Sequence, residues 1–90
     1  MKEHTINLIE LAHMAQNRTP KYKELGKGVS FGMKTIPKLY EGTYLGLVMY
    51  INTKIINAST NAISNKDLYA GCVFLYSHML EIVLEKMRNE

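Results

Sequence analysis

The chain has 90 residues, of which 47% are hydrophobic and 21% charged, a balance that is typical of one small globular domain and excludes a disordered chain. A single cysteine, Cys72, excludes an intramolecular disulfide framework, and without a visible secretory signal or membrane span we expect a soluble cytoplasmic protein. The formal net charge of +3 is modest, but it is unevenly distributed along the chain.

Helical periodicity is clear in the first part of the chain. From Glu3 to Asn17, polar residues recur on one stripe, and leucines and alanines recur on the opposite one. This pattern predicts a first helix over about residues 3–17. The Thr19-Pro20 pair should end it, because proline disfavours the helical conformation of the residue before it.

The next segment, about residues 18–36, is predicted to be a long ordered loop. It contains three of the six glycines, Gly26, Gly28 and Gly32. Glycine lowers helix propensity and allows the backbone to turn. A regular helix is therefore not expected between the first apolar segment and the second.

A second helix is predicted over about residues 37–57. Pro37 suits the first turn of a helix, where its missing N–H is not needed. The stretch YLGLVMYINTKII is rich in β-branched and aromatic residues, so a strand over residues 44–56 in an α+β fold is the alternative. If the segment is helical, Gly42 and Gly46 would form a flat face that another backbone could approach.

The last segment predicts a helix over about residues 65–88 with an unusually wide apolar surface. Its apolar residues fill four positions of the heptad, more than a helix on the outside of a three-helix domain requires. The predicted fold is thus mostly α, a small three-helix domain with a long glycine- and lysine-containing loop after the first helix. The excess apolar surface predicts a homo-oligomer whose interface includes Tyr69, Leu75, Tyr76, Met79, Leu80 and Val83.

Positive charge is concentrated in the predicted loop. Residues 18–40 contain six Lys or Arg residues and one acid, Glu24, whereas the rest of the chain contains five cations and seven acids. Lysines and the accessible N–H groups of a glycine-containing loop can together hold an anion, and an exposed tyrosine can stack on a base. The residues predicted to bind an anionic partner are Arg18, Lys21, Tyr22, Lys23, Lys27, Gly28, Lys34 and Lys38.

The sequence of this segment is close to two phosphate-binding motifs but matches neither of them. In GVSFGMKT, three residues separate Gly28 from Gly32 and Met33 intervenes before Lys34, whereas the P-loop requires four residues and an adjacent lysine. GKGVSFG is one residue too long for the dinucleotide fingerprint, and no predicted strand precedes it. No candidate catalytic motif has the residue spacing that its chemistry requires. We therefore predict a protein that is not an enzyme and needs no cofactor.

A small metal-binding protein is an alternative that the sequence leaves open. Glu10 and His13 form an E-x-x-H pair on the first predicted helix, and His78 and Glu81 share a polar strip of the last one. A di-iron carboxylate site needs two such pairs in the same direction, and the second pair is reversed. We therefore expect these residues to lie on solvated helix faces and predict no metal site.

Together these features predict a small regulatory or inhibitor protein that binds an anionic partner: a nucleic acid, a nucleotide or an acidic protein surface. Asn, Ile, Lys and Tyr make up 30 of the 90 residues, and their AT-rich codons are typical of phage or mobile-element accessory proteins. The alternative class is a structural homo-oligomerisation module whose basic loop is only solvated.

Overall fold

The computed structural model describes residues 4–58 and 65–89, and residue 3 of the first predicted helix lies outside them. The prediction of a mostly α fold is confirmed. The described residues form four helices and one two-stranded sheet, instead of three helices and a long loop. In chain order the elements are β1 (Thr5–Asn7), α1 (Leu8–Arg18), α2 (Lys23–Lys34), β2 (Glu41–Thr43), α3 (Tyr44–Asn57) and α4 (Lys66–Arg88).

The predicted loop over residues 18–36 is wrong, because most of it forms helix α2. No glycine in the described part of the chain has a positive φ, so these glycines are not needed for turning. Leu25, Gly28, Val29 and Gly32 form the buried face of α2, at the spacing of an amphipathic helix. Tertiary packing of this face outweighs the low helix propensity of glycine.

Helices α2 and α4 cross with their backbones in contact at Gly28 and Gly71. A Cβ atom on Gly28 would lie 2.5 Å from the carbonyl oxygen of Leu68 and 2.7 Å from the Cα of Gly71. Both residues are buried, and only glycine leaves room for such an approach. The flat face predicted at Gly42 and Gly46 is therefore in the wrong place.

In the described part of the chain, no helix backbone is among the nearest neighbours of either glycine's Cβ position. Gly42 lies in β2, where the atoms nearest to a Cβ would belong to the side chains of Tyr40 and Leu47. A Cβ on Gly46 would approach only the Oγ1 of Thr43, at 3.1 Å. A four-residue spacing of two glycines therefore does not by itself identify the place where two helix backbones come into contact.

Strands β1 and β2 pair antiparallel, with Thr5 opposite Thr43, and each leads directly into a helix. Asn7 caps α1 by accepting a hydrogen bond from the N–H of Ile9 at 3.0 Å. Thr43 caps α3 through the N–H of Gly46 at 3.1 Å. The caps explain why the helices begin at residues 8 and 44, later than the predicted residues 3 and 37.

Helix α3 shows that the strand alternative for residues 44–56 is wrong. Its β-branched residues include Ile51 and Ile55, of which Ile51 is buried in the core and Ile55 packs against it. The intrinsic strand preference of such residues is weak compared with burial in a helical core. Pro37 does not begin this helix and lies between α2 and β2.

Helix α4 is the central helix, as it packs against α1, α2 and α3. Its predicted range of about 65–88 is confirmed within one residue, and Asn65 caps it by accepting a hydrogen bond from the N–H of Asp67 at 2.9 Å. Within the described residues, α4 alone is long and apolar enough to suit a membrane span. The core helix of a soluble protein has the same character, and seven residues of α4 are buried in this core.

The central position of α4 changes the predicted oligomer interface. Leu75, Tyr76, Met79 and Val83 are at most 4% exposed, because other helices of the same chain cover them. These four residues cannot contact a second copy of the folded chain. Of the predicted set, Tyr69 is exposed and Leu80 is partly buried.

We predict that Gly28→Ala destabilises the fold by about 3 kcal/mol, because the added methyl group collides with the α4 backbone. The matched control is Gly26→Ala in the same helix, where no atom lies within 4 Å of the added Cβ. This control should stabilise the protein by about 0.5–1 kcal/mol, since alanine is the better helix former. Urea denaturation followed by circular dichroism measures both, and equal midpoints for the two variants would contradict the crossing.

Candidate functional site

A straight row of lysines lies on the outward face of α2. Lys23, Lys27 and Lys34 are four and seven residues apart, so their side chains project from the same side of the helix. All three are exposed, and Ser30 lies between them. We call these four residues and the neighbouring Phe31 the lysine face.

The lysine face has a defined position because the opposite side of α2 is anchored. Leu25 and Val29 are each 7% exposed. At the end of the helix, the hydroxyl of Thr35 donates to the carbonyl oxygen of Gly32 at 2.7 Å and lies 3.1 Å from the hydroxyl of Tyr76. Since Tyr76 belongs to α4, this contact holds the last turn of α2 against the core.

One groove runs along the lysine face towards the beginning of α4. Its volume is about 610 Å³, and it is shallow and open. Phe31 lies in it with 41% of its surface exposed, and Leu68 of α4 contributes a second apolar side chain. The groove therefore combines three cations with an apolar surface; its lining is Lys23, Gly26, Lys27, Ser30, Phe31, Lys34 and Leu68.

A second groove, of about 360 Å³, lies between the end of α1 and the beginning of α2. Lys21 and Tyr22 line it, and Tyr22 is 64% exposed. It shares Lys23, Gly26 and Ser30 with the first groove, so the two are neighbours along α2. The beginning of α2 has no side-chain cap, and the positive end of its dipole adds to the lysine charges.

Five of the predicted anion-binding residues thus line the two grooves: Lys21, Tyr22, Lys23, Lys27 and Lys34. Arg18 is engaged elsewhere, because its guanidinium lies 3.2 Å from the carboxylate of Glu85 and 3.6 Å from that of Glu81 on α4. Gly28 is buried at the helix crossing, so its predicted contact with an anion is wrong. Lys38 is exposed between α2 and β2 and lines neither groove.

Several residues of the grooves were not predicted from the sequence, among them Gly26, Ser30 and Phe31 on the exposed side of α2. The signal that could have found them is the spacing of the lysines at positions 23, 27 and 34, which is helical and lies opposite Leu25 and Val29. The glycines obscured this pattern, since three of them in one segment favoured a loop.

Among the described residues, the fold does not bring enough further ligands to Glu10 and His13, the two residues of the metal-binding alternative, to complete a metal site. Glu10 and His13 are both exposed on α1. Over residues 4–58 and 65–89, no three His, Cys, Asp or Glu side chains come together as metal ligands would.

Cys72 lies inside the α2–α4 contact. Its thiol donates a hydrogen bond to the carbonyl oxygen of Gly28 at 3.3 Å, and the residue is fully buried. Burial raises the pKa of the Cys72 thiol above its ordinary value, although a hydrogen bond with Tyr76 opposes the shift. A protonated, buried thiol is a poor nucleophile.

We predict that Cys72 reacts with a thiol reagent only when the contact between α2 and α4 opens. At neutral pH the native protein should react far more slowly than the urea-unfolded chain, because burial both hides the sulfur and disfavours the thiolate. The absorbance of a released thiolate chromophore measures both rates. Equal rates in the native and unfolded protein would contradict the described position of Cys72.

No protein family, no curated protein sequence and no solved structure matches this chain. The functional assignment therefore depends on the geometry and chemistry of the two grooves.

Proposed function

We propose that the protein is a small non-enzymatic regulatory or inhibitor protein that binds an anionic partner through the lysine face. The observation that carries the proposal is the alignment of Lys23, Lys27 and Lys34 on one exposed helix face. None of these lysines has an ion pair with any residue of the described chain, whereas Arg18 does. The lysine charges are thus available to a partner.

The lysine face contributes little to folding, which supports a role in binding. Exposed charges add at most about 1 kcal/mol to stability even when they are paired, and like charges on one helix face repel each other. A row of unpaired lysines near an uncapped helix N-terminus creates a local positive field. Such a field attracts anions and orients them before contact.

We predict that replacing Lys23, Lys27 and Lys34 together by glutamine lowers the salt concentration at which the protein elutes from heparin. The fold should remain, with a stability change below about 1 kcal/mol, because all three side chains are exposed. Elution in a salt gradient and thermal unfolding measure the two effects.

The matched control is Arg18→Gln, which removes one positive charge that is already paired with Glu81 and Glu85. It should shift elution less than Lys27→Gln, although both variants lose the same formal charge. The proposal fails if the triple variant elutes with the parent protein, or if Arg18→Gln and Lys27→Gln have equal effects.

A second candidate function is self-association as a structural module, and the outer surface of α3 favours it. Leu45, Met49 and Ile56 are 62%, 65% and 58% exposed. Their spacing of four and seven residues places them in one apolar stripe on α3, which the polar Asn52 interrupts. Exposed apolar residues that cluster on one helix face are typical of a surface that contacts another protein.

If this stripe joins two copies, the mass measured by light scattering should rise with protein concentration. Met49→Glu should then return the protein to a monomer without unfolding it, because the Met49 side chain is mostly exposed. Leu75→Glu should instead unfold the chain, since Leu75 is fully buried. A constant monomer mass for the parent protein would exclude the stripe as a self-association surface.

A further inference from the structure

We propose that the lysine face binds a single-stranded nucleic acid, whose phosphates contact the lysines while an unpaired base stacks on Phe31. This inference names the partner of the anion-binding surface and rests on the function proposed above. Three features of the lysine face and the two grooves carry it: an exposed aromatic ring between cations, a glycine without a packing role, and a second exposed aromatic residue in the neighbouring groove.

Phe31 distinguishes a nucleic acid from other anions. Phe31 is 41% exposed as a residue, in the groove that Lys27 and Lys34 line. A polyphosphate, which has no apolar group, would neutralise the lysines and leave this apolar ring in water. A base presents a flat π surface that covers the ring, while its backbone phosphates reach the lysines.

Unpaired bases fit the groove better than a duplex does. In a duplex, each base is already stacked on its neighbours and is not available to an aromatic side chain. A single strand can turn one base onto Phe31 without breaking base pairs, so stacking adds to the phosphate contacts. Leu68 of α4 lines the same groove and extends its apolar surface.

Gly26 marks the path of the strand along α2. It lies inside the helix, where glycine is less stable than alanine, and no atom approaches the position of its missing Cβ within 4 Å. Packing explains Gly28 and Gly32, but it does not explain Gly26. Gly26 also lines both grooves, together with Lys23 and Ser30. Because it has no side chain, it leaves a gap between these two residues, which we call the passage.

Tyr22 provides a second exposed ring at the other end of this passage. Its side chain is 64% exposed in the groove next to Lys21. Tyr22 and Phe31 are nine residues apart, which is an axial rise of about 13 Å on a helix. A strand that contacts both rings must therefore span several nucleotides.

The proposal is tested by fluorescence anisotropy with a labelled oligothymidylate of about ten nucleotides, compared with elution from heparin. Phe31→Leu keeps an apolar side chain but removes the ring. It should weaken oligothymidylate binding about tenfold and affect heparin elution much less, because heparin has no base to stack on the ring. The matched control is Phe74→Leu on α4, because Phe74 is 42% exposed and lies outside both grooves. This control should leave both measurements unchanged.

Gly26→Ala provides an independent test, because it should weaken strand binding without lowering the stability of the protein. The added methyl group has free space in the unbound protein, so the variant should be at least as stable as the parent. It should nevertheless bind oligothymidylate several-fold more weakly, because the methyl group narrows the passage. Weaker binding cannot then be attributed to unfolding.

The outcomes separate this inference from the function on which it rests. If the triple lysine variant loses heparin affinity but Phe31→Leu binds oligothymidylate like the parent, the surface binds anions and the single-strand assignment is overturned. Equal affinity for a duplex of the same length would also overturn it. If the lysine variant changes neither measurement, both the inference and the proposed function fail.

Discussion

The contact between the backbones of Gly28 and Gly71 is the constraint on which the rest of the structure depends. It places α2 directly on α4, with the carbonyl oxygen of Leu68 where a side chain would otherwise lie. Cys72 fits beneath the crossing and donates to the carbonyl oxygen of Gly28. Because helix interiors are closely packed, a larger residue at either glycine would force the two helices apart. The position of every other residue on α2 follows from this contact.

The lysine face is a consequence of that crossing. Once Gly28 and Gly32 face α4, helical geometry places Lys23, Lys27 and Lys34 on the opposite side, in water. The buried glycines allow α2 to pack closely on the core. The exposed lysines give its outer surface a positive charge that contributes little to stability. Phe31 and Gly26 are the features of this surface that neither packing nor solubility explains.

The helical class and the range of α4 could be predicted because their signals are local and repeated. A wide apolar surface over 23 residues indicates a long buried helix whatever it packs against. Helix α2 could not be predicted in this way, because the low propensity of Gly28 is outweighed only by a contact with Gly71, 43 positions later in the sequence. The apolar width of α4 is explained by its central position: three helices of its own chain cover it, and Leu75 and Met79 are core residues. The concentration of cations could be read from the composition of residues 18–40. Their alignment in one row could not, because it follows from the helical conformation of α2.

Backbone amide chemical shifts recorded during a titration with oligothymidylate show whether a single strand binds on the exposed side of α2. The shifts should concentrate on α2 and the residues before it, including Lys23, Gly26 and Phe31, while the amides of α3 should remain unchanged. The amides of α2 should also show helical shifts before any ligand is added. If the largest shifts fall on α3, strand binding on α2 is wrong; if the α2 amides have the shifts of an irregular loop, the helix itself is wrong.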